Sequence, residues 1–327
     1  MAKTVLVTGG AGFIGSHVAD RFLADGWDVT VLDDLSSGRE ENVAPGVRFV
    51  RGDITTPEAA ALVRDGRFDV MCHLAAQIDV RRSVLDPVYD ATRNVLGTLN
   101  LMEAVRASGH DTRVIFSSTG GALYGDFDPP PSAETNAKDP EAPYGIAKLS
   151  VEYYLAYYGR VHGLTTVALR YGNVYGPRQD PHGEAGVVAI FCNRLLDERA
   201  LTVFGDGEQT RDYVYAGDVA AANFAAATNE LPAAGRVDAR AFNIGTGIET
   251  SVNTVARTLT QVSGSSSDIE YAPARAGELA RSALNTTKAQ QALGWAPQVS
   301  LAEGLEKTFR YFADRRAAAS GGAGARE

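Results

Sequence analysis

The sequence predicts an α/β protein, a doubly wound parallel sheet followed by a smaller C-terminal α/β domain. Three observations carry this. Short apolar runs recur between amphipathic stretches through the first half of the chain. Those runs suit strands buried on both faces, as in a parallel sheet covered by helices. A glycine-rich turn, Gly9-Gly10-Ala11-Gly12-Phe13-Ile14-Gly15, follows the first run and opens the first helical stretch.

Taken in order, Val5-Leu6-Val7-Thr8 reads as the first strand, and a helix is expected over residues 17–25. Strands follow at residues 29–32, 48–50, 69–73, 114–117 and 167–169. The second half differs. Gly176-Pro177-Arg178-Gln179-Asp180-Pro181-His182-Gly183 is rich in turn formers and reads as a functional loop. A helix over residues 187–199, a short strand at 201–204 and a strand at 242–244 that returns to the first sheet complete the pattern. Residues 317–324 are low in complexity and read as a disordered tail. The division expected is a first domain of residues 1–172, to which 213–247 return, a second of 173–315, and a tail of 316–327.

The length of 327 residues is ample for a core, and 45% hydrophobic with 22% charged residues is ordinary globular composition. No apolar run reaches membrane-spanning length. The first residues read as a strand rather than a secretory signal. Cys72 and Cys192 lack a metal-ligand pattern and are expected to be buried free thiols in a reducing cytoplasm. A net charge of −9 argues against a nucleic-acid partner. An anionic ligand would need a local cluster of arginines.

The glycine turn sits where a strand meets a helix, so its backbone N–H groups can approach a pyrophosphate at a positive helix N-terminus. Phe13 and Ile14 are expected to pack under that helix. The second strand ends at Asp33-Asp34, and a carboxylate there accepts ribose hydroxyls while repelling a 2′-phosphate. The cofactor expected is NAD rather than NADP. Gly52-Asp53-Ile54 places Asp53 at the adenine edge, and His73-Leu74-Ala75-Ala76 supplies small residues for backbone lying close to a cofactor.

Tyr144 and Lys148 lie four residues apart, one turn along the same helix face. A free phenol titrates near pH ~10 and is a poor base at neutrality. A neighbouring ammonium favours the phenolate, so the pair is a candidate device for taking a proton from an alcohol.

The chain resembles the extended short-chain dehydrogenase/reductase family, with its Rossmann sheet, from residue 4 to about residue 312. The residues that carry this are Gly9-x-x-Gly12-x-x-Gly15, Asp33, Asp53-Ile54, His73-Leu74-Ala75-Ala76, Asn94, Ser117-Ser118-Thr119 and Tyr144-x-x-x-Lys148. The resemblance extends the cofactor contacts to Ser36, Gly38, Gln77 and Tyr171. It makes the first domain NAD-binding and the second the substrate domain.

Within that family the chain is similar to nucleotide-sugar 4-epimerases of the UDP-glucose type. The local likenesses are Ala75-Ala76-Gln77-Ile78-Asp79-Val80-Arg81-Arg82-Ser83, Arg170-Tyr171-Gly172-Asn173-Val174-Tyr175-Gly176-Pro177-Arg178-Gln179 and Thr210-Arg211-Asp212-Tyr213-Val214. The resemblance implies that Asn173, Arg211 and Arg275 hold the UDP phosphates and Glu278 the uridine ribose. It places Leu201, Thr202, Val203 and Phe204 along the uracil, and Val80, Arg81, Val187 and Val188 among the substrate contacts. A planar guanidinium suits phosphate oxygens.

The reaction implied inverts C4 of a UDP-hexose through a transient 4-keto sugar, with NAD tightly bound and recycled. Tyr144 takes the C4 hydroxyl proton, Lys148 bonds the nicotinamide ribose and, with the positive ring of NAD⁺, lowers the phenol's pKa, and Thr119 bridges the two hydroxyls, with Ser118 as the fallback. Related dehydratases carry an Asp-Glu pair after the site threonine. Here Gly120-Gly121 follow Thr119, which disfavours elimination and leaves room for the sugar to turn.

The family's sugar-gating position aligns with Ser282, small enough to admit an N-acetyl group. Arg81 or Arg82 could instead meet a C6 carboxylate, although Asp180 stands where some uronate epimerases have arginine. UDP-N-acetylglucosamine and UDP-glucuronate 4-epimerases are thus alternatives, with a UDP-glucuronate decarboxylase or a non-catalytic NAD sensor behind them. A homodimer is expected, paired through the helix from Tyr144 to about Tyr158 and the helix over residues 94–106. Tyr153, Tyr154, Tyr157 and Tyr158 form either that interface or core.

Overall fold

Strand alternation organises the molecule around one parallel sheet. The computed structural model describes residues 2–125, 129–181, 186–275 and 279–323, the last four of these by their backbone alone. The sheet is built from β1 (Thr4–Thr8), β2 (Asp28–Asp33), β3 (Arg48–Arg51), β4 (Val70–His73), β5 (Arg113–Thr119) and β6 (Thr166–Tyr171). Helices α1 (Phe13–Ala24), α2 (Pro57–Gly66), α3 (Val80–Leu85), α4 (Pro87–Ala91), α5 (Gly97–Ser108) and α6 (Pro143–Val161) connect them, with a π-helical turn at Thr92–Leu96. Val5, Val7, Val29 and Val31 face one side with Val18 and Phe22 of α1. Leu6, Leu32, Met71 and Phe116 face the other, against Val63 of α2, Leu101 and Val105 of α5, and Val151 and Leu155 of α6. Both faces are covered, which is why the strands are apolar at successive positions.

The remaining elements are β7 (Asn173–Tyr175), α7 (Val187–Leu196), β8 (Leu201–Phe204), β9 (Thr210–Arg211), β10 (Tyr213–Tyr215), α8 (Ala216–Thr228), β11 (Ala241–Ile244), β12 (Thr250–Ser251), α9 (Val252–Ser263), β13 (Ile269–Ala272), α10 (Thr287–Leu293) and α11 (Leu301–Ala323). β11 pairs in parallel with β6, Phe242 opposite Leu169, and extends the sheet to the order β11-β6-β5-β4-β1-β2-β3. Its helix α8 joins α1's face through Val219, Ala222 and Ala226. A second core lies between α7, α9 and α11, around Phe191, Val255, Leu259 and Leu305. Cys72 and Cys192 are buried free thiols, and burial alone raises the first, while it carries Cys192 to about 12. Among the described residues no helix is long and apolar enough to cross a membrane.

Strand order reverses between β1 and β4: the chain leaves β1 toward β2 and β3, then returns to β1's other edge. The crevice beyond the carboxyl ends of these two strands is where such sheets bind ligands. Gly9 shows how tightly the two strand ends meet. It sits at φ +70°, and a Cβ there would lie 2.6 Å from the Ala75 nitrogen.

Three elements differ from the sequence expectation. α1 begins at Phe13, four residues before residue 17, because Gly12 already supplies the extended N-cap and Ile14 joins the apolar stripe. α7 stops at Leu196, where Asp197 caps it and Glu198 turns to φ 54°. The expected tail is helical through Ala323. Alanine is the strongest helix former, and before the alanine run Arg315 and Arg316 pair with Glu41 and with Asp197 at the end of α7.

Candidate active site

The nucleotide end is built on close backbone approach. Gly12 N–H donates to the Gly9 carbonyl, and a Cβ on Gly15 would stand 2.1 Å from that same oxygen. Asp33 fixes the turn from the other side. Its Oδ2 accepts from Ala11 N–H at 3.0 Å and its Oδ1 from Leu35 N–H at 2.9 Å. Burial raises the Asp33 pKa, and these backbone donors oppose it. Gly38 packs on this carboxylate, since a Cβ there would lie 2.9 Å from Oδ1; Gly38 is therefore behind Asp33 rather than on the cavity wall. Asp34 holds Ser36 N–H at 2.8 Å.

Asp53 is already engaged. It accepts from Thr55 and pairs with Arg93, so this end of the wall is shared with Arg93, Tyr89, Arg39 and Asn42, none of which the sequence singled out. Burial opposes the low pKa of Asp53, but Thr55 and Arg93 prevail and hold it below the ordinary carboxylate value. Ile54 borders the cavity and packs under Gly97.

His73 is a buried strut. Its Nε2 donates to Thr98 Oγ1 at 2.8 Å, because that hydroxyl already donates to the Asn94 carbonyl. Nδ1 then accepts from Thr8 Oγ1 at 2.7 Å, whose oxygen takes Ala75 N–H. Asn94 continues the chain, its Oδ1 accepting from Gln77 N–H at 2.8 Å. The run Leu74, Ala75, Ala76, Gln77 is thus strapped beside the glycine turn, with Asn94 behind it rather than on the wall.

His73 and His17 are held neutral. Burial, then Lys148, takes His73 down to about 3, and burial, then Arg178, takes His17 to about 4. Unfolded histidines titrate near pH ~6.5, so the unfolded chain gains these protons first as pH falls. This contribution to stability is complete above about pH 6.5 and is lost as pH drops toward the folded values. Melting temperature is expected to fall between about pH 6.5 and about pH 4. A His17→Gln variant should lose part of that slope; an identical slope would contradict the neutral, buried histidine.

Pro143 at the first helical position starts α6, which carries Tyr144 and Lys148 into the cavity. Lys148 is 2% exposed, its Nζ donating to the Ser117 carbonyl at 2.8 Å and lying 5.8 Å from the Tyr144 ring centroid. Burial lowers the Lys148 pKa to about 8, opposed by the carboxylates of Asp90 and Glu152. Burial, then Asp90, raises that of Tyr144. Here the ammonium bonds a backbone carbonyl and desolvation dominates at the phenol, while the lowering expected from sequence invokes the positive nicotinamide ring together with Lys148.

Thr119 borders the cavity at the end of β5, its Oγ1 accepting from Ala122 N–H at 3.2 Å. Ser118 borders the cavity as well, but its buried hydroxyl donates to Glu152, which is paired with the fully buried Arg170, whereas the Thr119 hydroxyl is the less committed of the two. Ser117 and Tyr171 complete the wall, with Asn223 donating to the Tyr171 hydroxyl at 2.8 Å.

At the far end stand Gly121, Asn173 and Arg211. Arg211 Nη1 donates to the carbonyls of Thr210 and Leu279, which aims the rest of the guanidinium. Asp212 beneath it accepts from Thr246, Gly247 and Leu284 backbone N–H groups and is a structural carboxylate.

Other expected contacts fall elsewhere. Val188 and Val203 are core, with Val187 packed on them, while Thr202 and Phe204 are partly buried on β8 away from the wall. Arg275 lies over the Phe204 ring at 3.8 Å rather than on the wall. Val80 and Arg82 border the cavity, Arg81 does not. Gly120 makes room for Leu284, not for a sugar, since a Cβ would meet that side chain at 2.5 Å. Ser282 is half-buried and off the wall, where Leu279 stands instead. Glu278, His182 and Gly183 lie outside the described residues.

The cavity joining these groups measures about 1240 Å³. Pockets for one small ligand run to roughly 1,000 Å³, so there is room here for a dinucleotide and a second ligand. Arg178, at φ 68° and paired with Asp20, and Tyr311, Phe312, Arg315 and Arg316 of α11 complete its rim. The cradle of Gly9, Gly12 and Gly15, with a carboxylate at the end of β2, fits NAD.

The chain belongs to the NAD dependent epimerase/dehydratase family, whose profile matches residues 5–245. It is accordingly an NAD-dependent enzyme. Within that family it is similar to UDP-glucose 4-epimerases. The UDP-glucose 4-epimerase of Mycolicibacterium smegmatis is 46% identical over 315 residues, covering 95% of this chain and 98% of that protein. The structure of UDP-glucose 4-epimerase from Thermotoga maritima with UDP-glucose matches with a TM-score of 0.89 at 46% identity, covering 95% of this chain and 99% of that one. The UDP-glucose 4-epimerase of Thermus thermophilus in complex with NAD matches with a TM-score of 0.86 at 44% identity, covering 95% of this chain and 99% of that one.

Proposed function

We propose that this protein interconverts UDP-glucose and UDP-galactose by inverting C4 through a transient 4-keto sugar. One observation carries the reading: a single cavity joins the glycine cradle and Asp33, the group Thr119, Tyr144 and Lys148, and the phosphate-reading pair Asn173 and Arg211. NAD supplies the hydride acceptor and a positive charge that favours the phenolate. Tyr144 Oη then holds the proton of the C4 hydroxyl, removing it in one direction and returning it in the other. Thr119 Oγ1 orients that hydroxyl. Lys148, cationic below its pKa of about 8, keeps a positive charge one helical turn from the phenol. Arg211 and Asn173 hold the nucleotide while Gly121 leaves the sugar free to present its other face. Thr119 is followed by Gly120 and Gly121, so those two positions supply no acidic side chain for elimination.

The cavity wall carries Arg82 but not Ser282, which favours a C6 carboxylate over an N-acetyl group as the second reading. Incubation with UDP-glucose, UDP-N-acetylglucosamine and UDP-glucuronate in parallel, with chromatography of products, separates them. UDP-galactose is expected as the main product. A faster conversion of UDP-glucuronate would favour the second reading, and UDP-pentose with carbon dioxide would favour decarboxylation. Tyr153, Tyr154 and Tyr157 are 58%, 41% and 40% exposed on α6, which supports a homodimer through that helix, whereas Tyr158 is core. Two buried free thiols support a cytoplasmic setting.

A further inference from the structure

Asp90 is a carboxylate that the proposed reaction does not use, and it is only 1% exposed. Its Oδ1 accepts from Gln77 Nε2 at 3.1 Å and from Asn94 Nδ2 at 3.0 Å. Its Oδ2 is buried with no hydrogen-bond partner among the described residues. An orphaned buried carboxylate oxygen is costly unless a charge nearby compensates it. Asp90 lies on α4, which packs against α6. From α6, Tyr144 and Lys148 feel its charge, and Glu152 is one turn beyond. The other charged neighbours are occupied: Arg82 of α3 lies over the Tyr89 ring, and Arg93 of the π turn is paired with Asp53. Asp79 and Asp86 cap the starts of α3 and α4. Arg81 of α3 also engages a partner, and Lys148 is the cation whose charge acts on Asp90.

We propose that Asp90 is a positioning residue for the Tyr144–Lys148 pair, fixing the Gln77–Asn94 wall and serving as the buried counter-charge of Lys148. Its negative charge favours the ammonium and disfavours the phenolate. Removing it must shift both titrations the same way, toward lower pH. A purely structural acceptor would not do this, because Asp90→Asn keeps an oxygen for Gln77 and Asn94.

The proposal rests on the reading of Tyr144 as the base, and the test is chosen to separate the two. Phenolate absorbance is titrated in the NAD-loaded protein, subtracting the Tyr144→Phe version of each variant. With Asp90→Asn the Tyr144 midpoint is expected to fall by on the order of one pH unit. Both limbs of the pH profile for kcat/KM should move down with it, while bound NAD is unchanged. Asp90→Glu, which keeps the charge, should leave the midpoint near that of the natural protein. An unmoved or raised midpoint in Asp90→Asn, or an equal fall in Asp90→Glu, overturns the proposal. Absence of epimerisation by the natural protein would instead sink the functional reading, and the phenolate titration would still decide the role of Asp90.

Discussion

Replacing Tyr144 by phenylalanine is expected to lower kcat by about 100- to 10,000-fold, the usual contribution of a positioned acid or base. The substitution removes one oxygen and leaves the ring that packs at the start of α6. Lys148 keeps its bond to the Ser117 carbonyl, and the glycine cradle and Arg211 are untouched. Binding of NAD and of UDP should therefore persist within about 2-fold, which is roughly 0.4 kcal/mol. Fluorescence or calorimetric titration of both ligands, beside a single-turnover rate, separates the terms. A variant that stays active, or that loses ligand binding along with activity, contradicts the role given to Oη.

The largest stability effect is expected at Glu152→Leu. Glu152 Oε1 accepts from Ser118 and Arg170 Nε, and Oε2 accepts from Arg170 Nη2 at 2.6 Å. Both side chains of the pair are fully buried. Removing the carboxylate leaves a guanidinium in the core with its nearest counter-charge gone. Breaking a buried pair in this way costs about 3–5 kcal/mol, or roughly 4–7 °C in melting temperature for a chain of this size. Arg170 also donates to Asp238, to the Tyr124 hydroxyl and to the Glu134 carbonyl. The double variant Arg170→Met with Glu152→Leu should consequently recover only part of the loss, because those partners are stranded in turn. Urea denaturation of both variants reads this directly. A loss below about 1 kcal/mol in Glu152→Leu would place the pair with exposed ion pairs instead.

What the sequence made legible was local. The glycine turn, the carboxylate ending β2 and the four-residue spacing of Tyr144 and Lys148 are each written in a few neighbouring residues, and backbone geometry converts spacing into position. Strand runs were legible for the same reason, since burial on both faces leaves a continuous apolar signal. What stayed hidden depended on contacts between distant segments. Arg275 sits among turn formers and reads as a phosphate ligand, and only the fold shows its guanidinium over the Phe204 ring of another strand. Gly120 reads as open space until Leu284 fills it from 164 positions further on. Ser118 and Thr119 are equivalent in sequence and both border the cavity, and only the fold shows that the Ser118 hydroxyl is engaged by Glu152. Arg93 and the α11 residues carry no motif at all. At Tyr144 the spacing shows the nearby ammonium, while the desolvation acting on the phenol comes from packing that no local motif records.

The central claim is that Tyr144 serves a reversible transfer at sugar C4, in which the hydrogen that leaves that carbon is the one that returns. UDP-glucose labelled with deuterium at C4 tests this in one measurement. UDP-galactose that keeps the deuterium at C4 is expected, with no net change in the redox state of the bound cofactor. Label lost to solvent, or an unchanged UDP-glucose pool after prolonged incubation with NAD-loaded protein, would contradict it.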